Sequence, residues 1–201
     1  MTMPVHFKKP ARRNVEKKTS YTAYRDDLRK DFNFACGYCD DSDLNVDRIC
    51  FHIDHFAPKK RFPNLETVYE NLVYSCRFCN IRKSDHWVGN DPTIHSDGNK
   101  GFIDPCDQEY DEHLDRDPSG RIVAKSDLGR YIIRRLSLNL LRHELLWKAR
   151  KARLLRNEIG PLLDRHKAAG LPKNDVYTVL LERFRDLTEK IEAYEFCAIN
   201  G

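Results

Sequence analysis

Apolar residues return at helical spacing at Tyr21, Tyr24, Leu28 and Phe32, directly behind Thr19 and Ser20, which can cap a helix. This spacing predicts a short helix over 21–32. Farther along the period changes: Ile49, Phe51 and Ile53 alternate with His52 and Asp54, which reads as a strand over 48–56. Segment 68–75 reads as a second strand or extended piece, and 57–67, with Pro58, Lys59, Lys60, Arg61 and Pro63, as a polar loop between them. The residues after Cys79 can start a helix, with Asn80 at its beginning. Segment 87–97 is irregular, 102–105 is a short extended piece, and 113–125 reads as a hairpin turning at Asp117-Pro118-Ser119-Gly120.

From Asp127 onward the pattern is helical. Asp127 can cap a helix to 136, and Ser137 or Asn139 a long one carrying Leu141, Leu145, Ala149, Ala152, Leu155 and Ile159. A break over 167–174 precedes a last amphipathic helix over 175–197, with Val176, Val179, Leu180, Phe184, Leu187, Ile191 and Tyr194 on one stripe. Residues 1–18 show no periodicity and hold Pro4 and Pro10, so they read as a flexible arm. Short strands followed by long helices predict an α+β chain.

Composition narrows the class. The chain has 201 residues, 40% hydrophobic and 33% charged, and no apolar run approaches the roughly 20 residues that span a bilayer. Residues 1–18 also lack the apolar centre of a secretory signal, so the expectation is a cytoplasmic protein with no membrane partner. The net charge of +4 says less than its distribution. Lys8, Lys9, Arg12, Arg13, Lys17 and Lys18 make a basic arm, and Asp40, Asp41, Asp43, Asp47 and Asp54 make the next segment acidic. Arg130, Arg134, Arg135, Arg142, Lys148, Arg150, Lys151, Arg153 and Arg156 then make a basic helical region. An acidic pocket between basic surfaces suits a cation-using enzyme acting on a phosphate polymer.

Cysteine placement supplies the framework. Cys36-Gly37-Tyr38-Cys39 and Cys76-Arg77-Phe78-Cys79 bracket one segment, and in a reducing compartment such paired knuckles read as a metal site before disulfides. Four thiolates close a tetrahedral Zn²⁺ shell and leave no position for substrate, so this zinc would be structural. Chemistry then falls to Asp54, His55, Asn71 and Asn80. A carboxylate (Asp54) can hold Mg²⁺ or another divalent cation against a phosphate, with Asn80 offering a neutral oxygen. A neutral imidazole (His55) can take a proton from water. Asn71 is placed to fix the loop or to orient that imidazole. Lys83, Arg82, Lys59 and Lys60 are candidate phosphate contacts. Singly, each of these residues is commonplace.

In this order, however, Cys-x-x-Cys, Ile53-Asp54-His55, Glu70-Asn71-Leu72 and Cys-x-x-Cys-Asn80-x-x-Lys83 resemble the HNH endonucleases over 36–83. The resemblance implies a ββα-metal core, a β-hairpin and helix clasping one metal, with His55 as general base and Asp54 as metal ligand. Asn80 stands where the family often has His, and His52 where it often has an acid, which makes His52 a candidate extra ligand. The region 102–153 is similar to stand-alone bacterial HNH proteins, some of them nuclease subunits of anti-phage systems such as Septu or retrons, acting beside an ATPase. Three parts follow: a basic arm and short helix over 1–35, a zinc-framed nuclease core over 36–110, and a hairpin and helical region over 111–201 that binds DNA or a partner. The expected activity is metal-dependent hydrolysis of nucleic acid, with DNA as the substrate. The rival is a zinc-framed nucleic-acid-binding module or docking subunit without catalysis.

Overall fold

The computed structural model describes residues 2–44, 48–172 and 174–200, and the chain forms two compact units, Met1–Leu140 and Leu141–Gly201. Asp47, counted above among the acids, lies outside the described residues. The fold is α+β, with two small antiparallel sheets in the first unit and a helical pair forming the second.

Ser20 opens a 3-10 turn at Tyr21–Tyr24 that runs into helix α1, Arg25–Asp31, and the apolar stripe of Tyr24, Leu28 and Phe32 is buried. Strand β1 spans Phe51–His55, because Arg48–Cys50 form a 3-10 turn instead of extending it. It pairs antiparallel with β2, Leu72–Cys76, so that Asp54 faces Val73 and His55 faces Leu72. Helix α2, Arg77–Lys83, starts as soon as β2 ends. Cys79 and Asn80 therefore lie within this helix, whereas the hydrophobic pattern placed its start after Cys79. Helix α2 packs against β1 and β2, which completes a ββα unit.

Helix α3, Glu109–His113, precedes the hairpin of β3, Leu114–Arg116, and β4, Ile122–Ala124. The turn is held as its residues suggest: Asp117 Oδ1 accepts from the amides of Ser119 and Arg121 at 2.9 and 3.0 Å. Helix α4 spans Asp127–Leu136, but its cap is Ser126, whose Oγ accepts from the Gly129 amide at 3.0 Å. Gly129 is needed for close approach: an added Cβ would stand 2.1 Å from the His113 carbonyl oxygen.

In the second unit α5, Leu141–Ala168, and α6, Asp175–Asn200, pack on each other around Ala152, Leu187 and Ile191. The Asn174 side chain caps α6 by accepting from the Tyr177 amide at 2.9 Å. Among the described residues no helix is long and apolar enough to cross a membrane.

The N-terminal residues overturn one expectation. They are not a flexible arm offering free cations, but a strap laid over the first unit. Val5 is fully buried, Met3 bridges to Arg116, and His6 Nε2 donates to the Gly37 carbonyl at 2.6 Å. Burial drives the His6 pKa down to about 4, so its imidazole is neutral. Arg12 clamps Asp104 with two bonds of 2.9–3.0 Å and also donates to the Leu72 carbonyl. Lys9 pairs with Asp111, Arg13 with Asp31 and Lys18 with Asp27. Periodicity cannot detect such a strap, because its contacts are with distant acids and carbonyls rather than with an apolar face of its own.

Candidate active site

The four cysteines converge. All four Sγ atoms of Cys36, Cys39, Cys76 and Cys79 lie within 4.8 Å of one another, are buried, and form no disulfide. Cys39 and Cys76 sulfurs are 3.7 Å apart. A tetrahedron with Zn–S bonds of about 2.3 Å has sulfur–sulfur edges of about 3.8 Å, so the cluster is compatible with a structural zinc. Local sequence explains the approach. Gly37 permits the first knuckle to lie against Phe32 and Val73, since a Cβ there would meet both at 2.7–2.8 Å, and its amide donates to the Tyr74 carbonyl. The second knuckle spans the junction of β2 and α2, so its first thiol is on extended backbone and its second one helical turn later.

Asp54, His55 and Asn80 line one open cavity of about 460 Å³, together with Tyr21, Ile53, Lys59, Lys60 and Asp85. Adjacent residues on a strand point to opposite faces. His55 nevertheless reaches the same cavity as Asp54, as the last residue of β1.

The imidazole is fixed. His55 Nε2 stands 3.0 Å from the Glu66 carbonyl, and since a carbonyl only accepts, Nε2 carries the proton. Nδ1 makes no hydrogen bond among the described residues. The Tyr21 ring meets the imidazole edge-on at 4.8 Å. Burial, partly opposed by the Glu66 carbonyl and the Asp54 charge, pulls the His55 pKa below its ordinary value. Glu66 was invisible to residue-type reasoning, because it contributes a backbone oxygen.

Asp54 is held through one oxygen. Its Oδ2 accepts from Tyr38 Oη at 2.6 Å and pairs with Lys83 Nζ at 3.1 Å. Lys83 also donates to the His55 carbonyl at 2.8 Å and is wholly buried. The expectation of Lys83 as a phosphate contact is corrected here: its ammonium lies beneath the site, away from solvent. Of the two roles read for Asn71, fixing the loop or orienting the imidazole, its hydrogen bonds serve the first. Its amide bonds both the amide and the carbonyl of Ala57, at 2.8 and 3.0 Å, and so fastens the turn after β1. Asn80 Nδ2 lies 3.2 Å from His52 Nδ1, and the Asn80 amide oxygen makes no hydrogen bond among the described residues. His52 lines a neighbouring cleft with Arg25 and Phe51.

The acidic pocket is smaller than its sequence suggests. Asp43 is consumed by Arg29 and by Tyr74 Oη, and Asp40 accepts from the Phe7 amide; among the described residues Asp54 and Asp85 are the acids on the cavity wall. Lys59 is tied to Glu66 at 2.8 Å, while Lys60 is mostly exposed and 3.7 Å from Asp85. Arg82 is absent from the wall and lies in an apolar cleft with Phe78 and Cys50. A further cleft, of about 340 Å³, holds Lys100, Tyr131, Arg134 and Arg135, and Arg135 bonds His86, next to Asp85 of the cavity rim.

Residues 36–86 match the family model described as HNH endonuclease. The chain carries an HNH endonuclease domain. Its strands β1 and β2 and helix α2 are the ββα unit that holds the cavity. A relative from Bacillus thuringiensis, described as Septu protein PtuB, is 35% identical over 63 residues. That match covers 31% of this chain and 24% of the relative, so the chain spans about a quarter of that protein's length. No solved structure matches the chain.

Proposed function

We propose that this chain is a divalent-metal-dependent endonuclease that hydrolyses phosphodiester bonds of DNA. The observation that carries the reading is the state of His55: Nε2–H is committed to the Glu66 carbonyl, so Nδ1 is the basic nitrogen, in a cavity shared with Asp54 and Asn80. His55 Nδ1 takes the proton of the attacking water. Asp54 Oδ1 and the Asn80 amide oxygen would hold Mg²⁺ or another divalent cation, which would supply neutralisation of the charge on the phosphate and on the departing 3′ oxygen. Asn71 positions His55 indirectly, by fixing the turn at Ala57. A structural Zn²⁺ in the cysteine cluster holds α2 to the first knuckle. Lys60, with Lys100, Arg134 and Arg135 beyond the rim, supplies phosphate contacts along the strand.

A plasmid-nicking assay tests this reading. Cleavage should require Mg²⁺ or Mn²⁺ and stop with a chelator in excess, and Asp54→Ala should be inactive at any Mg²⁺ concentration that supports the parent. Binding without cleavage under all divalent ions would instead establish the non-catalytic module.

The His55 environment also sets a pH dependence. Because burial lowers its pKa, the base form is populated to lower pH than for an exposed histidine. The acid limb of kcat/KM should therefore fall below pH 6.5, with activity lost as pH drops through the depressed pKa. An acid limb above that value would contradict His55 as the base.

The likeness to the Septu protein supports a place in an anti-phage system beside a second subunit, an ATPase. Leu154, Leu162, Val179 and Phe196 are exposed on the second unit, in keeping with a docking role for those helices.

A further inference from the structure

We propose that Tyr38 and Lys83 are positioning residues that present Asp54 to the catalytic cation, and that Tyr38 thereby joins the cysteine knuckle to the active site. The proposal rests on the reading of Asp54 as a cation ligand. Tyr38 lies between Cys36 and Cys39, inside the first knuckle, and is 1% exposed. Its hydroxyl donates to Asp54 Oδ2 at 2.6 Å, and its backbone carbonyl accepts from Tyr110 Oη at 2.6 Å, so Tyr110 pins the stretch of knuckle backbone that carries the ring. Lys83 ends α2, four residues beyond Cys79, and places its ammonium on the same Oδ2 and on the His55 carbonyl.

Two donors on one oxygen fix the carboxylate plane and leave Oδ1 for the cavity. A carboxylate free to rotate would lose freedom on binding the cation; this one has lost it already. Lys83 reaches Asp54 and the backbone of His55 together, so it also sets the spacing between ligand and base. Stability alone is a poor reason for such a pair, since burying an ion pair is seldom better than packing apolar groups of the same volume. Placed under a cavity, it orients the oxygen that is left, Oδ1.

The test uses the full chain loaded with zinc, comparing the parent with Tyr38→Phe, Lys83→Met and Asp54→Ala. Mn²⁺ is the probe, titrated calorimetrically, with zinc content measured alongside and cleavage followed in Mg²⁺. Tyr38→Phe keeps the ring and loses only the donor. It should retain one zinc and unchanged KM for DNA, yet bind Mn²⁺ about 10- to 100-fold more weakly, with kcat reduced in parallel. Lys83→Met should do the same wherever its zinc content matches the parent, and Tyr38→Phe decides by itself if it does not. A purely structural role would lower the melting temperature and leave Mn²⁺ affinity at the parental value, which overturns the proposal. If Asp54→Ala loses Mn²⁺ binding while Tyr38→Phe does not, the clamp is wrong and the Asp54 reading stands. If Asp54→Ala binds Mn²⁺ like the parent, both fall.

Discussion

His55→Ala is expected to reduce cleavage by about 10²- to 10⁴-fold, the range for removing a positioned general base. Zinc content and affinity for nucleic acid should stay as in the parent. The separation follows from geometry. His55 is outside the cysteine cluster, so the zinc does not need it. Its ring is neutral near pH 7, since burial lowers its pKa, and a neutral imidazole adds little to phosphate affinity. Binding should come from lysines and arginines and fall with rising salt in both proteins. His55→Asn would leave an amide to bond the Glu66 carbonyl but no base, and should be as inactive as the alanine variant. Single-turnover cleavage at saturating protein is the measurement. A His55→Ala rate equal to the parental rate would remove the proposed mechanism.

The second large effect concerns the cluster. Cys36→Ser or Cys79→Ser should cost the first unit its fold, not only its activity. Structural zinc in small domains contributes about 10–16 kcal/mol, and whole domains are stable by only about 5–15 kcal/mol. Here the four buried thiols tie the first knuckle to the β2–α2 junction, and four thiolates this close repel one another unless a cation stands between them. Zinc quantitation with near-ultraviolet circular dichroism would show loss of metal and of fixed aromatic environment together. A metal-free variant with a parental spectrum and melting temperature would refute the structural role.

Much of this was readable from residue types. The knuckles and the helical stripe of 21–32 each state a local rule that survives into the fold. In 175–197 only part of the stripe is buried, at Leu187 and Ile191, while Val176 and Val179 stay exposed. Along β1, Ile53, Asp54 and His55 line one cavity instead of alternating. What escaped depends on partners far away in sequence. Lys83 looks like a surface cation until Asp54 and the end of β1 are placed above it. For Asn71 residue type left two roles open, fixing the loop or orienting the imidazole, and only its bonds to Ala57 choose between them. Glu66 acts through its backbone, which no side-chain pattern can reveal. The N-terminal cations misled most, because their acids, Asp27, Asp31, Asp104 and Asp111, lie from 9 to 102 residues away. Ser126 rather than Asp127 caps α4, a shift of one position between two residues equally suited to it.

The strap over the first unit has a consequence for how the protein can be made. During synthesis the last zinc-binding thiol emerges with Cys79, but Val5 finds its partner only when Arg116, 111 residues later than Val5, has left the ribosome. Arg116 is also what grips the Cys39 carbonyl, at 2.6 Å. Metal capture can therefore precede closure, and for the interval between them the nascent chain holds a loaded but unlatched core. A fragment cut at the limits of the family match, 36–86, would be held permanently in that interval, with neither half of the latch.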